Sequence, residues 1–218
     1  MADTLALLPP LADGLWVTLQ VFGGALVLAV PLAIVAGLAR MSRWRLVAWP
    51  AVAYIEIFRG TSALVQLFWF YYVLPLFGLA LPAMLAGILV LALNSGAYGA
   101  EVVRGAVQAV PAGQREAAMA LNLTPLQILR RIVLPQALPA MLPPAGNLFI
   151  ELLKNTALVS LITIADLTFR AQLLRADTLR TMEIFSLVLL IYFAVALGIT
   201  GVVRALERAL RARRGERA

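Results

Sequence analysis

Residues 111–135 read PAGQREAAMALNLTPLQILRRIVLP, a segment between two apolar runs that is too long and too regular for a plain connector. Residues 114–121 are mostly strong helix formers, so they predict about two turns of helix. Asn122 follows, and asparagine tolerates the left-handed conformation in which many helices end. We therefore expect the chain to turn sharply at Asn122.

A second helix is expected directly after this turn. Thr124 suits the N-cap, Pro125 the first helical position and Gln127 the third, which together make a Thr-x-x-Gln capping box. Pro135 is expected to stop this helix near Leu134, because proline has no N–H to continue the hydrogen-bond ladder. Two short helices at an angle would form a rigid knob.

The composition around this knob is that of a membrane protein. The chain of 218 residues is 62% hydrophobic and only 13% charged, and its mean hydropathy is +0.92. A soluble domain is nearer half apolar and a quarter charged, so the chain is expected to be surrounded by lipid. The net charge of +7 is scattered along the sequence rather than grouped on a polar domain. We interpret it as a topology signal and expect no nucleic-acid partner.

Several kinds of chemistry are excluded by the residue inventory. Cysteine and histidine are both absent, which removes thiol nucleophiles, imidazole bases and the usual zinc and haem ligands. The single lysine, Lys154, is not in a Gly-Lys-Ser/Thr loop of the kind that holds nucleotide phosphates. We therefore expect no catalytic residue, metal site or bound cofactor in this chain, and no hydrolysis of ATP by that route.

Five stretches are apolar and long enough to cross a bilayer, which takes roughly 20 residues for about 30 Å of hydrocarbon. Nothing else is long enough for a separate soluble domain, so we expect one all-α integral membrane domain covering residues 1–218. The first apolar run is too long for a signal peptide and should remain as a span. The five expected spans cover about residues 15–39, 51–75, 82–100, 138–164 and 184–203, with prolines breaking the fourth.

The arginines predict the orientation, because short cytoplasmic loops hold an excess of basic residues. Three of them follow the first span and four lie between spans three and four, so both of these segments should be cytoplasmic. The N-terminus is then outside and the C-terminus inside. The C-terminal arginines agree with this orientation: Arg204, Arg208, Arg211, Arg213, Arg214 and Arg217. Arg170, Arg175 and Arg180 between the last two spans oppose it weakly, because acidic residues are interleaved with them.

The knob resembles a known family. Glu116-Ala117-Ala118, then Asn122, then residues 132–135 (Ile-Val-Leu-Pro) resemble the EAA motif of ABC importer permeases, which usually has glycine where Asn122 stands. Four further motifs resemble the polar amino-acid permeases of the histidine/glutamine type, although Ser62 stands for proline and Ala157 for serine. In order, they are residues 56–61 (EIFRGT), 66–68 (QLF), 98–105 (YGAEVVRG) and 153–158 (LKNTAL).

This resemblance implies a type I ABC importer permease fold with five transmembrane helices and cytoplasmic coupling helices at about residues 111–135. The coupling helices would contact a separate ATP-binding subunit, which would hold ATP and Mg²⁺. A second permease, identical or similar, and an external substrate-binding protein would complete the importer in the bacterial inner membrane. The coupling residues would be Glu116, Ala117, Ala118, Asn122, Leu134 and Pro135. The substrate would be a polar amino acid or a related small zwitterion such as ectoine.

Polar residues within the spans are candidates for the translocation pathway, because such groups are costly in lipid. They are Asn94, Ser95, Tyr98, Glu151, Lys154 and Thr156. Each could instead hold helices together. In particular, Glu151 and Lys154 lie three residues apart and could pair with each other, as could Glu56 and Arg59. The arginines at 170, 175 and 180 could form a solvated face or a docking site for a binding protein.

Two other functions remain open at this point. A self-sufficient secondary transporter or channel would normally show repeated halves and would need no cytoplasmic knob. A membrane enzyme would need reactive groups that this chain lacks. Together with the resemblance, these absences favour a permease subunit that depends on partners.

Overall fold

The computed structural model describes residues 7–212, and these residues are almost entirely helical, without a strand. The arginines expected at positions 213, 214 and 217 lie outside them. The helices are α1 (Leu8–Arg40), α2 (Arg45–Gly60), α3 (Ala63–Phe68), α4 (Ala83–Gln108), α5 (Ala112–Ala120), α6 (Pro125–Ile128), α7 (Leu134–Asn155), α8 (Leu167–Thr178) and α9 (Thr181–Ala212).

Helices α1 and α4 form the centre of the bundle, and small residues let them approach closely. A Cβ atom on Gly37 of α1 would lie 2.6 Å from the carbonyl oxygen of Ala100, and one on Gly99 of α4 would lie 2.7 Å from the Cβ of Ala33. Lipid supplies little hydrophobic force between helices, so close contact of small residues is the usual basis of their association.

The two ends of α1 contact different parts of the chain. Near its start, Leu11 packs against Leu167 and Ala171 of α8 and Ile184 of α9. Near its end, Leu38 and Met41 border the cluster formed by the knob and the end of α4. A helix of 33 residues is about 50 Å long at 1.5 Å per residue, so α8 and the knob lie at opposite ends of the molecule.

The second expected span is broken. Its two parts, Arg45–Gly60 and Ala63–Phe77, meet at an angle of 105°. Thr61 and Ser62 are extended at the break, and α3 continues through a wide π-helical turn (Trp69–Val73) and a 3₁₀ turn (Leu74–Phe77). The hydropathy pattern joined both parts into one expected span, whereas the 16-residue α2 ends at Gly60, well inside that segment.

The fourth expected span begins earlier than predicted, and Pro135 does not end the preceding helix. Helix α6 passes through a π-helical turn (Leu129–Val133) into α7, and the N–H of Leu134 bonds to the carbonyl of Leu129, five residues back. This wider turn relieves the steric conflict that a proline ring creates with the preceding turn of an ordinary α-helix. Pro139, Pro143 and Pro144 also lie within continuous helix, so the expected breaks are absent.

Four helical segments of the described chain can cross a membrane by length and apolarity, and the bent pair can supply a fifth crossing. The four are Leu8–Arg40, Ala83–Gln108, Pro125–Ile162 and Thr181–Leu210. They contain the expected first, third and fifth spans and most of the fourth. Helix α8 was not predicted; it lies between the last two crossing segments.

Candidate coupling and translocation site

The knob has the predicted local geometry at its first turn. Helix α5 ends at Ala120, and Asn122 adopts a left-handed conformation with φ of 56°. The N–H of Asn122 bonds to the carbonyl of Met119 at 2.9 Å, and that of Leu123 bonds to the carbonyl of Ala118 at 3.2 Å. These two bonds form a Schellman motif, which satisfies carbonyls left over at a helix end.

The capping box is also confirmed. The N–H of Thr124 donates to the Gln127 side-chain oxygen at 2.8 Å, and the N–H of Gln127 donates to the Thr124 hydroxyl at 3.4 Å. These bonds satisfy amide groups that the start of a helix leaves without intrahelical partners. The turn between α5 and α6 is thus stabilised by local interactions on both sides.

An apolar cluster attaches the knob to two long helices. Ala118 is the buried residue of α5, and it packs with Val107 of α4, with Ile128 and Val133, and with Ala137 of α7. The other predicted coupling residues lie toward the outside: Glu116, Ala117, Asn122 and Pro135 are exposed and Leu134 is half-buried. The knob is therefore anchored on one face and free on the other.

The free face is unusually apolar for a segment outside the long apolar helices. Met119, Leu121 and Leu126 are 57%, 75% and 62% exposed. A groove of about 990 Å³ runs beside them and is bordered across from the knob by Met41 and Trp44. The Glu116 carboxylate is exposed on α5 and has no hydrogen bond or ion pair with any described residue. Exposed apolar groups of this kind commonly mark a protein interface.

A network of charged side chains ties α1, α2 and α4 together, and the sequence did not predict it. Arg40 lies 3.0 Å from a carboxylate oxygen of Glu56 and 2.9 Å from one of Glu101, and Arg104 lies 2.7 Å from the other Glu101 oxygen. The expected pair of Glu56 with Arg59 is absent. The Arg59 guanidinium instead lies over the Tyr98 ring, 5.3 Å from its centre. The sequence signal for this network was the three-residue spacing of Glu101 and Arg104, which places both on one face of a helix.

A buried polar cluster secures the break between α2 and α3. The Asn94 side-chain nitrogen donates to the carbonyl of Phe58 at 3.0 Å and to the Gln66 side-chain oxygen at 3.1 Å. The Gln66 nitrogen contacts the same Phe58 carbonyl at 3.0 Å and the Thr61 hydroxyl at 2.7 Å. Backbone groups freed by a break within a membrane must be satisfied by protein, and these side chains do so. We call Asn94, Gln66, Phe58 and Thr61 the break cluster.

The other polar candidates of α4 have separate surroundings. The Tyr98 hydroxyl donates weakly to the carbonyl of Arg59 at 3.4 Å. Ser95 borders a cavity of about 170 Å³ whose other lining residues, such as Leu26, Gly99 and Leu148, are all apolar. Such a lining does not provide the polar partners that a buried zwitterion needs.

Glu151 and Lys154 do not pair with each other, contrary to the structural interpretation left open by the sequence. Both side chains are exposed, and neither has an ion pair with a described residue. Lys154 instead borders an apolar groove between α7 and α9 that includes Phe185 and Tyr192. Thr156 is buried, and its hydroxyl donates to the carbonyl of Leu153 at 2.6 Å. Thr156 also has a side-chain hydrogen bond with Tyr192 of α9.

Residues 29–212 match the family described as "Binding-protein-dependent transport system inner membrane component". The chain belongs to this permease family. Its predicted location, as a multi-pass protein of the inner membrane, is therefore supported by both family and hydropathy.

Relatives of the permease extend over nearly its whole length. The probable amino-acid ABC transporter permease y4tF of Sinorhizobium fredii is 45% identical over 216 residues, 96% of this chain and 91% of the relative. The glutamine transport system permease GlnP of Escherichia coli is 36% identical over 210 residues, 94% of each chain. A solved amino acid ABC transporter with histidines gives a TM-score of 0.88 at 38% identity, covering 95% of this chain and 97% of that one. The predicted importer-permease fold is confirmed.

The end of the permease opposite the knob carries a buried polar cluster that sequence reasoning missed. Asp166 is fully buried at the start of α8 and accepts a hydrogen bond from the N–H of Phe169 at 2.9 Å. The Thr18 hydroxyl accepts one from the N–H of Leu167 at 3.0 Å. Burial raises the pKa of Asp166 to about 6. The sequence signal was the N-cap spacing of Asp166 before α8.

The arginines near this end do not act as one group. Arg175 is exposed on α8, whereas Arg180 forms an ion pair with Glu183. Arg170 is packed against α1, since a Cβ on Gly14 would lie 2.9 Å from its Cγ. Arg175 and Asp177 are the charged residues that α8 leaves exposed.

Proposed function

We propose that this permease is the membrane-spanning subunit of an ATP-driven importer for polar amino acids or related small zwitterions. The observation that carries the proposal is the knob at residues 111–135. It is locally rigid and anchored to α4 and α7 on one face. Elsewhere it exposes apolar side chains and an unpartnered Glu116.

The knob would serve as the contact with a separate ATP-hydrolysing subunit. A rigid element packed against two long helices can pass a displacement to them as a body, because packed cores deform little. ATP and Mg²⁺ would be bound by that partner and not by this chain, whose sequence has no phosphate-holding loop. In this proposal the permease translocates substrate and is not itself an enzyme.

A second permease, identical or similar, would complete the translocation pathway. Glu151 and Lys154 are exposed in this chain although they lie within a segment long and apolar enough to span the membrane. Charged side chains in such positions face protein or water rather than lipid, because contact with hydrocarbon is costly. We infer that the partner permease or the pathway covers them. Substrate would arrive from a binding protein at the α8 end.

The substrate class rests on relatives. The E. coli relative is named a glutamine transport permease, and the solved neighbour is an amino acid transporter determined with histidines. An amino acid carries both an ammonium and a carboxylate, so exposed groups of both signs on α7 fit such a substrate. Related zwitterions, including compatible solutes such as ectoine, fit on the same grounds.

Reconstitution tests the dependence on partners. The purified permease alone in liposomes is expected to neither hydrolyse ATP nor accumulate substrate. Addition of its ATPase subunit, its binding protein and ATP should produce concentrative uptake of the ligand identified on the binding protein. ATP hydrolysis that follows this chain alone, or uptake driven by an ion gradient without the ATPase, would contradict the proposal and favour a secondary transporter.

Single cysteines test the proposed orientation, because the chain has none of its own. Arg208→Cys, exposed near the end of α9, should react with an impermeant thiol reagent only after the cells are opened. Asp177→Cys on α8 should react in intact cells. The reverse pattern would refute an orientation with the N-terminus outside, the knob inside and the C-terminus inside.

A further inference from the structure

The last turn of α4 has a backbone carbonyl that its own helix cannot satisfy. The carbonyl of Val107 would normally accept a hydrogen bond from the N–H of residue 111, four positions on. That residue is Pro111, which has no N–H. Val107 is 4% exposed, so water is largely excluded from it, and an unpaired carbonyl there would be costly.

Arg115 of α5 supplies the missing donor. One of its terminal guanidinium nitrogens donates to the Val107 carbonyl at 2.7 Å. A charged donor makes this a strong hydrogen bond, and a cation at a helix C-terminus is also favoured by the helix dipole. The Arg115 Nε is buried and has no hydrogen-bond partner among the described residues. The side chain is thus held against α4 rather than extended from the free face of the knob.

Two other contacts of α5 involve uncharged groups. Ala118 packs in the apolar cluster, and the side chains of Gln114 and Gln136 lie 3.3 Å apart. The charge-assisted bond from Arg115 is therefore the strongest directional connection between α5 and α4 in the described structure. About two turns earlier in α4, the Glu101 carboxylate forms an ion pair with Arg40 of α1. Helix α4 is therefore connected both to the knob and to α1.

We propose that Arg115 is the positioning residue that fixes the knob to the end of α4, so that a displacement of the knob by the ATPase moves α4. The inference rests on the proposed function of the knob and deepens it. Without this bond, α5 keeps its Schellman motif and its packing through Ala118 but can pivot at the Val110–Pro111 link. A displacement of the knob then rotates α5 about this link instead of moving α4, and ATP is hydrolysed without transport.

The test compares Arg115→Met, Arg115→Lys and the native chain in proteoliposomes that contain the ATPase subunit and binding protein. The measured quantity is the number of ATP molecules hydrolysed per substrate molecule taken up. Arg115→Met should assemble with the ATPase and hydrolyse ATP, but with a ratio raised roughly tenfold, as expected for loss of a hydrogen bond to a charged group. Arg115→Lys retains a charged donor and should recover most of the native ratio. Arg45→Met is the control, because Arg45 is exposed, lies outside the knob and has no ion pair with a described residue.

Each result bears on the proposal. A native ratio in Arg115→Met overturns it. Failure of Arg115→Met to assemble with the ATPase, with assembly in Arg115→Lys, also overturns it, since the side chain would then serve docking or stability. A raised ratio in Arg45→Met would show that loss of any positive charge has this effect, and it would also overturn the proposal. If the native permease itself binds no ATPase, the proposed function fails instead, and that result appears before any variant is measured.

Discussion

Glu116→Lys is expected to insert into the membrane at the native level and to lose ATP-driven uptake. Glu116 is exposed on α5 and has no partner among the described residues, so its charge contributes little to the fold of this chain. If the carboxylate meets a complementary group on the ATPase, reversal places two like charges together. Such a juxtaposition costs several kcal/mol, which would weaken binding of the ATPase on the order of 100-fold.

The measurement is co-purification of the ATPase and substrate uptake in cells at matched expression. Asp177→Lys is the control for co-purification, because it reverses an exposed carboxylate on α8, at the other end of α1. That variant should retain the native amount of ATPase. Native co-purification and uptake by Glu116→Lys would remove Glu116 from the proposed interface.

Asn122 gives a second test of the same knob that depends on backbone conformation rather than charge. Asn122→Gly should be tolerated, because glycine adopts positive φ without a Cβ penalty. Asn122→Val should impair coupling, since a side-chain-bearing L-residue at the observed φ of 56° costs roughly 1–2 kcal/mol and a β-branched one more. Full transport by Glu116→Lys and Asn122→Val combined would contradict the coupling role of the knob.

The features that the sequence predicted correctly here are those that depend on close neighbours in the chain. The Schellman motif at Asn122 and the capping box at Thr124 involve groups at most five residues apart. Their geometry follows from the conformational preferences of asparagine, threonine and proline. The apolar spans were also predictable, because the thickness of the bilayer sets the length of apolar sequence that a crossing needs.

Side-chain partners were predicted poorly, because they depend on how the helices pack. Spacing of three residues suggested Glu56 with Arg59 and Glu151 with Lys154, yet neither pair forms. Glu56 instead meets Arg40, sixteen residues earlier, because α1 and α2 pack side by side. The continuous helix through Pro135 was missed because proline usually ends a helix, and a π-helical turn is not visible in a hydropathy pattern.

The polar residues proposed for the translocation pathway fall into two groups according to whether their side chains have partners. Asn94 and Thr156 are occupied by backbone carbonyls, and Tyr98 contacts the Arg59 guanidinium and carbonyl. Glu151 and Lys154 are exposed and without an ion pair. We therefore propose that the pathway follows the exposed face of α7 rather than α4. The polarity of a residue within a span does not by itself distinguish a pathway role from a structural one.

Asn94→Leu is expected to reduce the amount of folded permease severely, in the absence of any substrate. Leucine has a similar branched shape, but it removes the donor to the Phe58 carbonyl and to the Gln66 side-chain oxygen. The Phe58 carbonyl keeps the Gln66 nitrogen as a donor, but the Gln66 side-chain oxygen loses its donor. A buried acceptor left without its donor costs about 1–3 kcal/mol. Water cannot replace the donor at membrane depth. Gln66 would also lose its connection to α4, so the bonds that it makes to Phe58 and Thr61 at the bend would be held less firmly.

Thermal stability and monodispersity of the solubilised permease should both fall in Asn94→Leu. Ser95→Ala is the matched control, since Ser95 is the next residue of α4 and lies outside the break cluster, so its replacement should leave stability unchanged. This comparison distinguishes the two roles that the sequence left open for Asn94. A structural role predicts loss of the folded protein before transport can be measured, because the bend between α2 and α3 loses the two hydrogen bonds that Asn94 makes to it. A pathway role predicts native stability with altered uptake, and that outcome would contradict our interpretation of the break cluster.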